Sequence, residues 1–95
     1  MEFLTHIVVD LPAELSDGQR AEIMAEERER SAALAARGIQ KRLWRDPARR
    51  AVWALWEADD ATALHEAVSS LALFPYMTFD VHPLARHAND PALGS

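Results

Sequence analysis

The chain contains no cysteine, only three glycines and a single tyrosine among its 95 residues. Without cysteine it can form no disulfide, thiolate metal site or cysteine nucleophile, which fits a reducing, cytoplasmic location. Three glycines are too few for an extended glycine-rich phosphate-binding loop. No P-loop, GxGxxG, HExxH or GxSxG motif occurs. These absences remove several common classes of enzyme site from consideration.

The sequence also lacks the features of membrane and nucleic-acid proteins. No apolar run approaches the roughly 20 residues that a membrane-spanning helix needs. The first ten residues, MEFLTHIVVD, lack the basic segment of a secretory signal peptide. The net charge of −5 argues against a nucleic-acid partner. The histidines do not form the i, i+4 pair of a helical metal site, so no metal centre is predicted. They are His6, His65, His82 and His87.

Residues 16–38 are predicted to form one long amphipathic helix. Ser16 and Gln19 can form a capping box at its start. Gly38 can adopt the left-handed conformation that follows the end of many helices. At 100° per residue, the stripe that faces the core contains four further residues of low polarity. They are Ile23, Met24, Ser31 and Leu34.

Glu27 lies in the middle of this stripe, whereas the neighbouring Glu26 points about 100° away. Because burial of a lone carboxylate is costly, such a residue is usually paired, protonated or functional. Arg20 lies on the same stripe and is a candidate structural partner. Without such a partner, Glu27 is a candidate acid or base.

The rest of the chain predicts four strands and a second helix. The strands cover residues 3–10, 39–45, 51–57 and 76–82, and the helix runs from residue 59 or 60 to about residue 72. The order β-α-β-β-α-β is typical of the ferredoxin-like α+β fold. We therefore expect a four-stranded antiparallel sheet of order 4-1-3-2 with both helices on one face. Residues 1–87 would form this domain, and residues 88–95 a polar tail that is an arm or partly disordered.

The first and third predicted strands are apolar on both faces, as strands in the middle of a covered sheet are. Two helices can cover only one face of such a sheet, so we expect a second copy of the chain to cover the other. The alternative is that Trp53 or Trp56 is simply half exposed. The basic stretch KRLWRDPARR predicts either a solvated hairpin tip or a site for a small anion.

Several segments together resemble the muconolactone Δ-isomerase family, and the similarity extends from residue 1 to about residue 87. They are MEFLTHIVVDLPAEL, AEERERSAALAARG followed by LWR, ALHEAV, LFPYM and LARH. The resemblance implies the ferredoxin-like fold and an isomerase of aromatic catabolism, the β-ketoadipate pathway, that uses no metal or organic cofactor. It also implies large homo-oligomers of the dimeric α+β barrel type, decamers in the best-known form, with sites at subunit contacts.

The implied reaction moves the ring double bond of muconolactone, or of a related butenolide, to give 3-oxoadipate enol-lactone. Its 1,3-proton transfer needs one base, for which Glu27 is the candidate, and a donor to the dienolate oxygen, either His65 or Tyr76. The substrate carboxylate suits an arginine. Arg45 is the first choice and Arg86 the second.

The predicted apolar walls of this site are Trp53 or Trp56, Phe74 and Leu34, and Trp44 is a further candidate for substrate contact. Trp44 and Arg45 are consecutive in a strand and must point to opposite faces. Two other functions also fit an apolar pocket on this fold. One is a cofactor-free oxygenase, and the other is a non-enzymatic ligand-binding module of the dimeric α+β barrel type.

Overall fold

The structure is a computed structural model, and it describes residues 1–93. The strands are β1 (Glu2–Val9), β2 (Gln40–Arg45), β3 (Ala51–Glu57) and β4 (Met77–Leu84). The helices are α1 (Asp17–Ala36) and α2 (Ala61–Ser69), and short 3₁₀ turns cover Phe74–Tyr76 and Pro91–Leu93. The predicted tail of residues 88–95 is exposed as far as residue 93, and its last two residues lie outside the described part of the chain.

The four strands form one antiparallel sheet in the order β2-β3-β1-β4. This is the predicted order counted from the other edge, and the predicted fold is confirmed. β1 and β3 are the two central strands, as their apolar character on both faces indicated.

The start and end of α1 follow the predicted local chemistry. Ser16 Oγ accepts a hydrogen bond from the Gln19 amide at 3.1 Å, and Gln19 Oε1 accepts one from the Ser16 amide at 2.8 Å. Gly38, just past the helix, has φ of +73°, a conformation that glycine adopts without the penalty of a side chain. These contacts satisfy backbone groups that a helix end leaves without partners.

Three predicted boundaries around α2 and β4 were wrong. α2 ends at Ser69 rather than near residue 72. β4 begins at Met77 rather than residue 76, because Phe74–Tyr76 forms a 3₁₀ turn around Pro75. β4 also continues through Pro83 to Leu84, although it was expected to end at residue 82. Proline is tolerated there because β4 is an edge strand.

Both helices pack on the same face of the sheet. Leu34 of α1 and Leu64, Ala67 and Val68 of α2 form one core cluster with side chains from β1 and β3. The strand contributions are Phe3, Ile7, Ala54 and Trp56. No helix in residues 1–93 is both long and apolar enough to cross a membrane.

The opposite face of the sheet is not covered by any part of the chain that the structure describes. On this open face, Val8 is 42% exposed, Trp44 40% and Leu84 40%. Leu4, Trp53 and Leu55 are therefore covered only in part.

Candidate functional site

Glu27 is half-buried, and its carboxylate binds the backbone rather than an arginine. Its Oε1 accepts a hydrogen bond from the amide of Leu73 at 3.0 Å. The alternative partner, Arg20, instead donates to the backbone oxygens of Pro12 at 2.7 Å and Leu15 at 3.4 Å. The alternative Arg20–Glu27 pair is therefore not formed, and no cation within residues 1–93 forms an ion pair with Glu27.

A second contact links α1 to the end of α2 beside this carboxylate. Arg30 donates from Nη1 to the carbonyl oxygen of Ser70 at 2.9 Å, and its Nη2 forms an ion pair with Glu26. Arginine suits this position because the last carbonyls of a helix lack partners within the helix. Glu27 and Arg30 together fix the segment that follows α2.

Ser31, one turn after Glu27 on the same face of α1, binds the first residue of β2. Its hydroxyl donates to Gln40 Oε1 at 2.8 Å, and both residues are half-buried. Gln40 pairs with Trp56 in the sheet and therefore lies on the side that faces the helices. Sequence reasoning placed Ser31 on this stripe but did not predict its contact with Gln40.

Arg45 lies on the same side of β2 as Gln40. It pairs with Val52, and Leu43 pairs with Ala54, so both point toward the helix layer. Leu43 is nevertheless 51% exposed and Arg45 is exposed, so α1 leaves this part of β2 open. We refer to Glu27, Ser31, Gln40, Leu43 and Arg45 together as the α1–β2 side.

A separate apolar cleft of about 400 Å³ lies between α2 and β4. We call it the α2–β4 cleft. The His65 ring meets Phe74 edge-on at 6.1 Å, and Phe74 lies 6.0 Å from Phe79. The lining residues are Thr5, Ala61, Leu64, His65, Val68, Phe74, Phe79 and Val81. His65 and Phe74 are thus brought together as predicted site residues, but Glu27 does not line this cleft.

The other predicted residues lie elsewhere. Trp56 is completely buried, and its Nε1 donates to Thr5 Oγ1 at 2.8 Å, so it is a core residue rather than an accessible wall. Trp44 is on the open face of the sheet, because it pairs with Trp53.

Arg86 is exposed beyond the end of β4. Tyr76 is half-buried in its 3₁₀ turn, where its carbonyl oxygen accepts from the Asp10 amide at 2.9 Å.

The open face carries a polar pair that sequence reasoning did not find. His6 Nε2 lies 3.0 Å from Asp46 Oδ2, and the His6 ring lies 4.6 Å from that of Trp53. Arg42 stacks over Trp44 at 4.8 Å on the same face. The only signal in the sequence was an aspartate in the turn between β2 and β3, which is too common in turns to indicate a partner.

Glu57, the last residue of β3, has a shifted pKa. The pKa of Glu57 is lowered because the amine of Met1 donates a hydrogen bond to its carboxylate at 2.6 Å. Within residues 1–93, no three histidine, aspartate or glutamate side chains are arranged to hold a metal ion.

The family model described as muconolactone delta-isomerase matches residues 1–90. The chain belongs to the muconolactone Δ-isomerase family. The chain is 33% identical to muconolactone Delta-isomerase 2 of Acinetobacter lwoffii over 89 residues, which cover 94% of this chain and 93% of that protein. It is 33% identical to muconolactone Delta-isomerase of Pseudomonas aeruginosa over 87 residues, covering 92% and 91% of the two chains.

A crystal structure of muconolactone isomerase superposes on the chain with a TM-score of 0.86 at 30% identity. The superposition covers 95% of this chain and 94% of the other. Membership of the muconolactone Δ-isomerase family confirms the resemblance described above and favours an isomerase over the oxygenase and binding-module alternatives.

Proposed function

We propose that the chain isomerises muconolactone, or a related butenolide, to 3-oxoadipate enol-lactone by a 1,3-proton transfer that needs no cofactor. The observation that carries this proposal is the half-buried Glu27 carboxylate, which is held by a backbone amide and forms no ion pair with a cation in the described part of the chain. A carboxylate held in this way, in a chain of this family, can act as the base.

The reaction requires only a proton and the electrons of one double bond to move. Glu27 removes the proton from the ring carbon γ to the lactone carbonyl, and the electron pair delocalises to the carbonyl oxygen as a dienolate. The same carboxyl group then returns the proton to the α carbon, which restores the carbonyl. Because Leu73 occupies Oε1, the other oxygen of Glu27 is the one available to carry the proton.

The substrate carboxylate is assigned to Arg45, with Arg86 as the second choice. Arg45 lies on the same side of the sheet as Glu27, and no carboxylate in residues 1–93 forms an ion pair with it. A guanidinium can bind a carboxylate through two parallel hydrogen bonds, which also fixes the orientation of the ring. His65, Tyr76, Phe74, Trp44 and Trp56 stay predictions for the remaining contacts, although the positions of Trp44 and Trp56 make them the weakest.

We also infer that the working form is a homo-oligomer built from dimers, in the cytoplasm. The open face of the sheet exposes Val8, Trp44 and Leu84, and exposed apolar side chains on one face of a sheet often belong to an interface. A second copy on this face would give the dimeric α+β barrel, and larger assemblies such as decamers would add further contacts. The reducing cytoplasm fits a chain that contains no cysteine.

The direct test is an ultraviolet assay of the purified chain with muconolactone, run beside an oxygen electrode and light scattering. We expect conversion to the enol-lactone without oxygen uptake, by a particle larger than one chain. Lack of conversion would overturn the proposed activity, and oxygen uptake would assign the chain to the oxygenases. A monodisperse, active monomer would overturn the proposed assembly alone.

A further inference from the structure

The proposed reaction needs a hydrogen-bond donor for the dienolate oxygen, and the α1–β2 side contains one that was not predicted. We propose that the side-chain amide of Gln40 is this donor. The inference rests on the proposed function, because it assigns a role within that reaction. Glutamine side chains can stabilise an oxyanion when they are held in place before the reaction begins.

Gln40 is held in one orientation by its contact with α1. The Ser31 hydroxyl donates to Gln40 Oε1 at 2.8 Å, which leaves the two N–H groups of Nε2 directed away from Ser31. An amide that is already oriented loses little freedom when it binds a developing charge. It can therefore favour the transition state over the neutral lactone.

The side-chain donor of Gln40 is also available. Every buried side-chain nitrogen and oxygen within residues 1–93 has a hydrogen-bond partner. No group in the described chain accepts a hydrogen bond from Gln40 Nε2, and none donates to Glu27 Oε2. Both atoms therefore reach solvent. Gln40 and Glu27 are each held through Oε1, and the second polar atom of each side chain can bind a substrate.

Ser31, which holds Gln40, is close to the base on α1. Glu27 and Ser31 are separated by one helical turn on the same face, which places their Cβ atoms about 6 Å apart. Gln40 is bonded to Ser31 and lies on the same side of the sheet as Arg45, so it meets α1 one turn from Glu27. The proposed pose places the γ carbon of the lactone toward Glu27 and its carbonyl oxygen toward Gln40.

The first measurement is steady-state turnover of muconolactone by Gln40→Met, a change that keeps the length of the side chain and removes its donors. We expect kcat to fall by about 100-fold while KM changes little, since one oxyanion donor contributes roughly 10²–10³ in kcat. Gln40→Glu keeps the acceptor for Ser31, loses the donor and adds a negative charge beside the dienolate. It should lose at least as much kcat as Gln40→Met, and it controls for misfolding of that variant. Gln19→Met, which removes a side-chain amide from the helix cap, should lower thermal stability without lowering kcat.

The second measurement is binding of tetronate, a stable enolate mimic, in the Glu27→Gln background, where the base is replaced by a neutral amide. Adding Gln40→Met should weaken tetronate binding at least tenfold and leave the affinity for neutral γ-butyrolactone unchanged. Unchanged tetronate affinity, or near-normal kcat in both Gln40 variants, would overturn the role of Gln40. A loss of kcat in His65→Gln or Tyr76→Phe but not in the Gln40 variants would also overturn it.

These outcomes separate this inference from the proposed function. If Glu27→Gln is inactive while the Gln40 variants turn over normally, the isomerase mechanism stands and the assignment of Gln40 falls. If Glu27→Gln turns over normally, the base is wrong, and the tetronate result still reports on Gln40.

Discussion

The two helices cover the same face of the sheet, but they differ in how many apolar side chains they bury there. α1 has 20 residues and buries only Leu34, whereas α2 buries Leu64, Ala67 and Val68 within nine residues. On the α1–β2 side, Glu27, Ser31 and Gln40 are half-buried. Glu27 Oε2 and Gln40 Nε2 have no hydrogen-bond partner within residues 1–93. The α2–β4 cleft is lined almost entirely by apolar side chains. We propose that α2 mainly stabilises the fold and that α1 supplies the polar groups for catalysis.

The largest effect on stability should come from the α2 side of this comparison. Leu64→Ala removes a side chain that is only 4% exposed and should lower the free energy of unfolding by about 2–5 kcal/mol, because the truncation leaves a cavity. Ile23→Ala on half-buried α1 should cost less. Denaturant unfolding of the two variants checks the ranking. Equal losses of unfolding free energy would contradict the proposal that α2 stabilises the fold more than α1 does.

Arg45→Ala should weaken binding on the α1–β2 side without affecting the chemical step. We expect KM for muconolactone to rise by about 10- to 100-fold with kcat little changed, since hydrogen bonds to charged groups contribute about 1.5–3 kcal/mol. Arg49→Ala, in the exposed turn between β2 and β3, is the matched control. A larger rise in KM for Arg86→Ala than for Arg45→Ala would transfer the carboxylate site to Arg86.

Ser16→Ala should test whether α1 needs its cap for function or only for stability. Loss of the hydroxyl that accepts from the Gln19 amide should cost about 0.5–2 kcal/mol of stability. Because the cap lies about four turns from Ser31, kcat below the unfolding temperature should be unchanged. A fall in kcat that matches the loss of stability would show that the catalytic groups depend on the whole helix.

The smallest effect should come from Glu57, which lies outside both regions. Its pKa is lowered in the folded chain by the hydrogen bond from the Met1 amine, so its contribution to stability is present above the ordinary glutamate pKa. That contribution is lost as the pH falls through the lowered value. Glu57→Gln should therefore flatten the acid side of the stability profile slightly, since both groups are exposed. An unchanged dependence of stability on pH would show that the Met1–Glu57 contact does not stabilise the folded chain in solution.

The fold could be predicted because its signals are local. Short runs rich in apolar and β-branched residues predict the strands, and Ser16, Gln19 and Gly38 predict the limits of α1. The errors fell at residues 70–77 and at Pro83. At residues 70–77, a turn segment that includes a 3₁₀ turn lies where the end of α2 and the start of β4 were predicted. At Pro83, the missing backbone N–H is tolerated because β4 is an edge strand.

The site was harder to predict, because its contacts join residues that are distant in the chain. The partner of Glu27 is a backbone amide at Leu73, and a backbone amide has no sequence signature. The Ser31–Gln40 and His6–Asp46 contacts depend in the same way on how the elements pack. Periodicity placed Glu27 on the inner face of α1, but it could not show which atoms stay free there.

The central claim is that Glu27 transfers the proton. The most direct measurement compares kcat for muconolactone in Glu27→Gln and Glu26→Gln, two neighbouring glutamates of α1 of which only one is held at the backbone of Leu73. We predict that Glu27→Gln lowers kcat by about 10²–10⁴-fold with the fold retained, and that Glu26→Gln stays close to the unmodified chain. Near-normal turnover by Glu27→Gln, or equal losses in the two variants, would contradict the account.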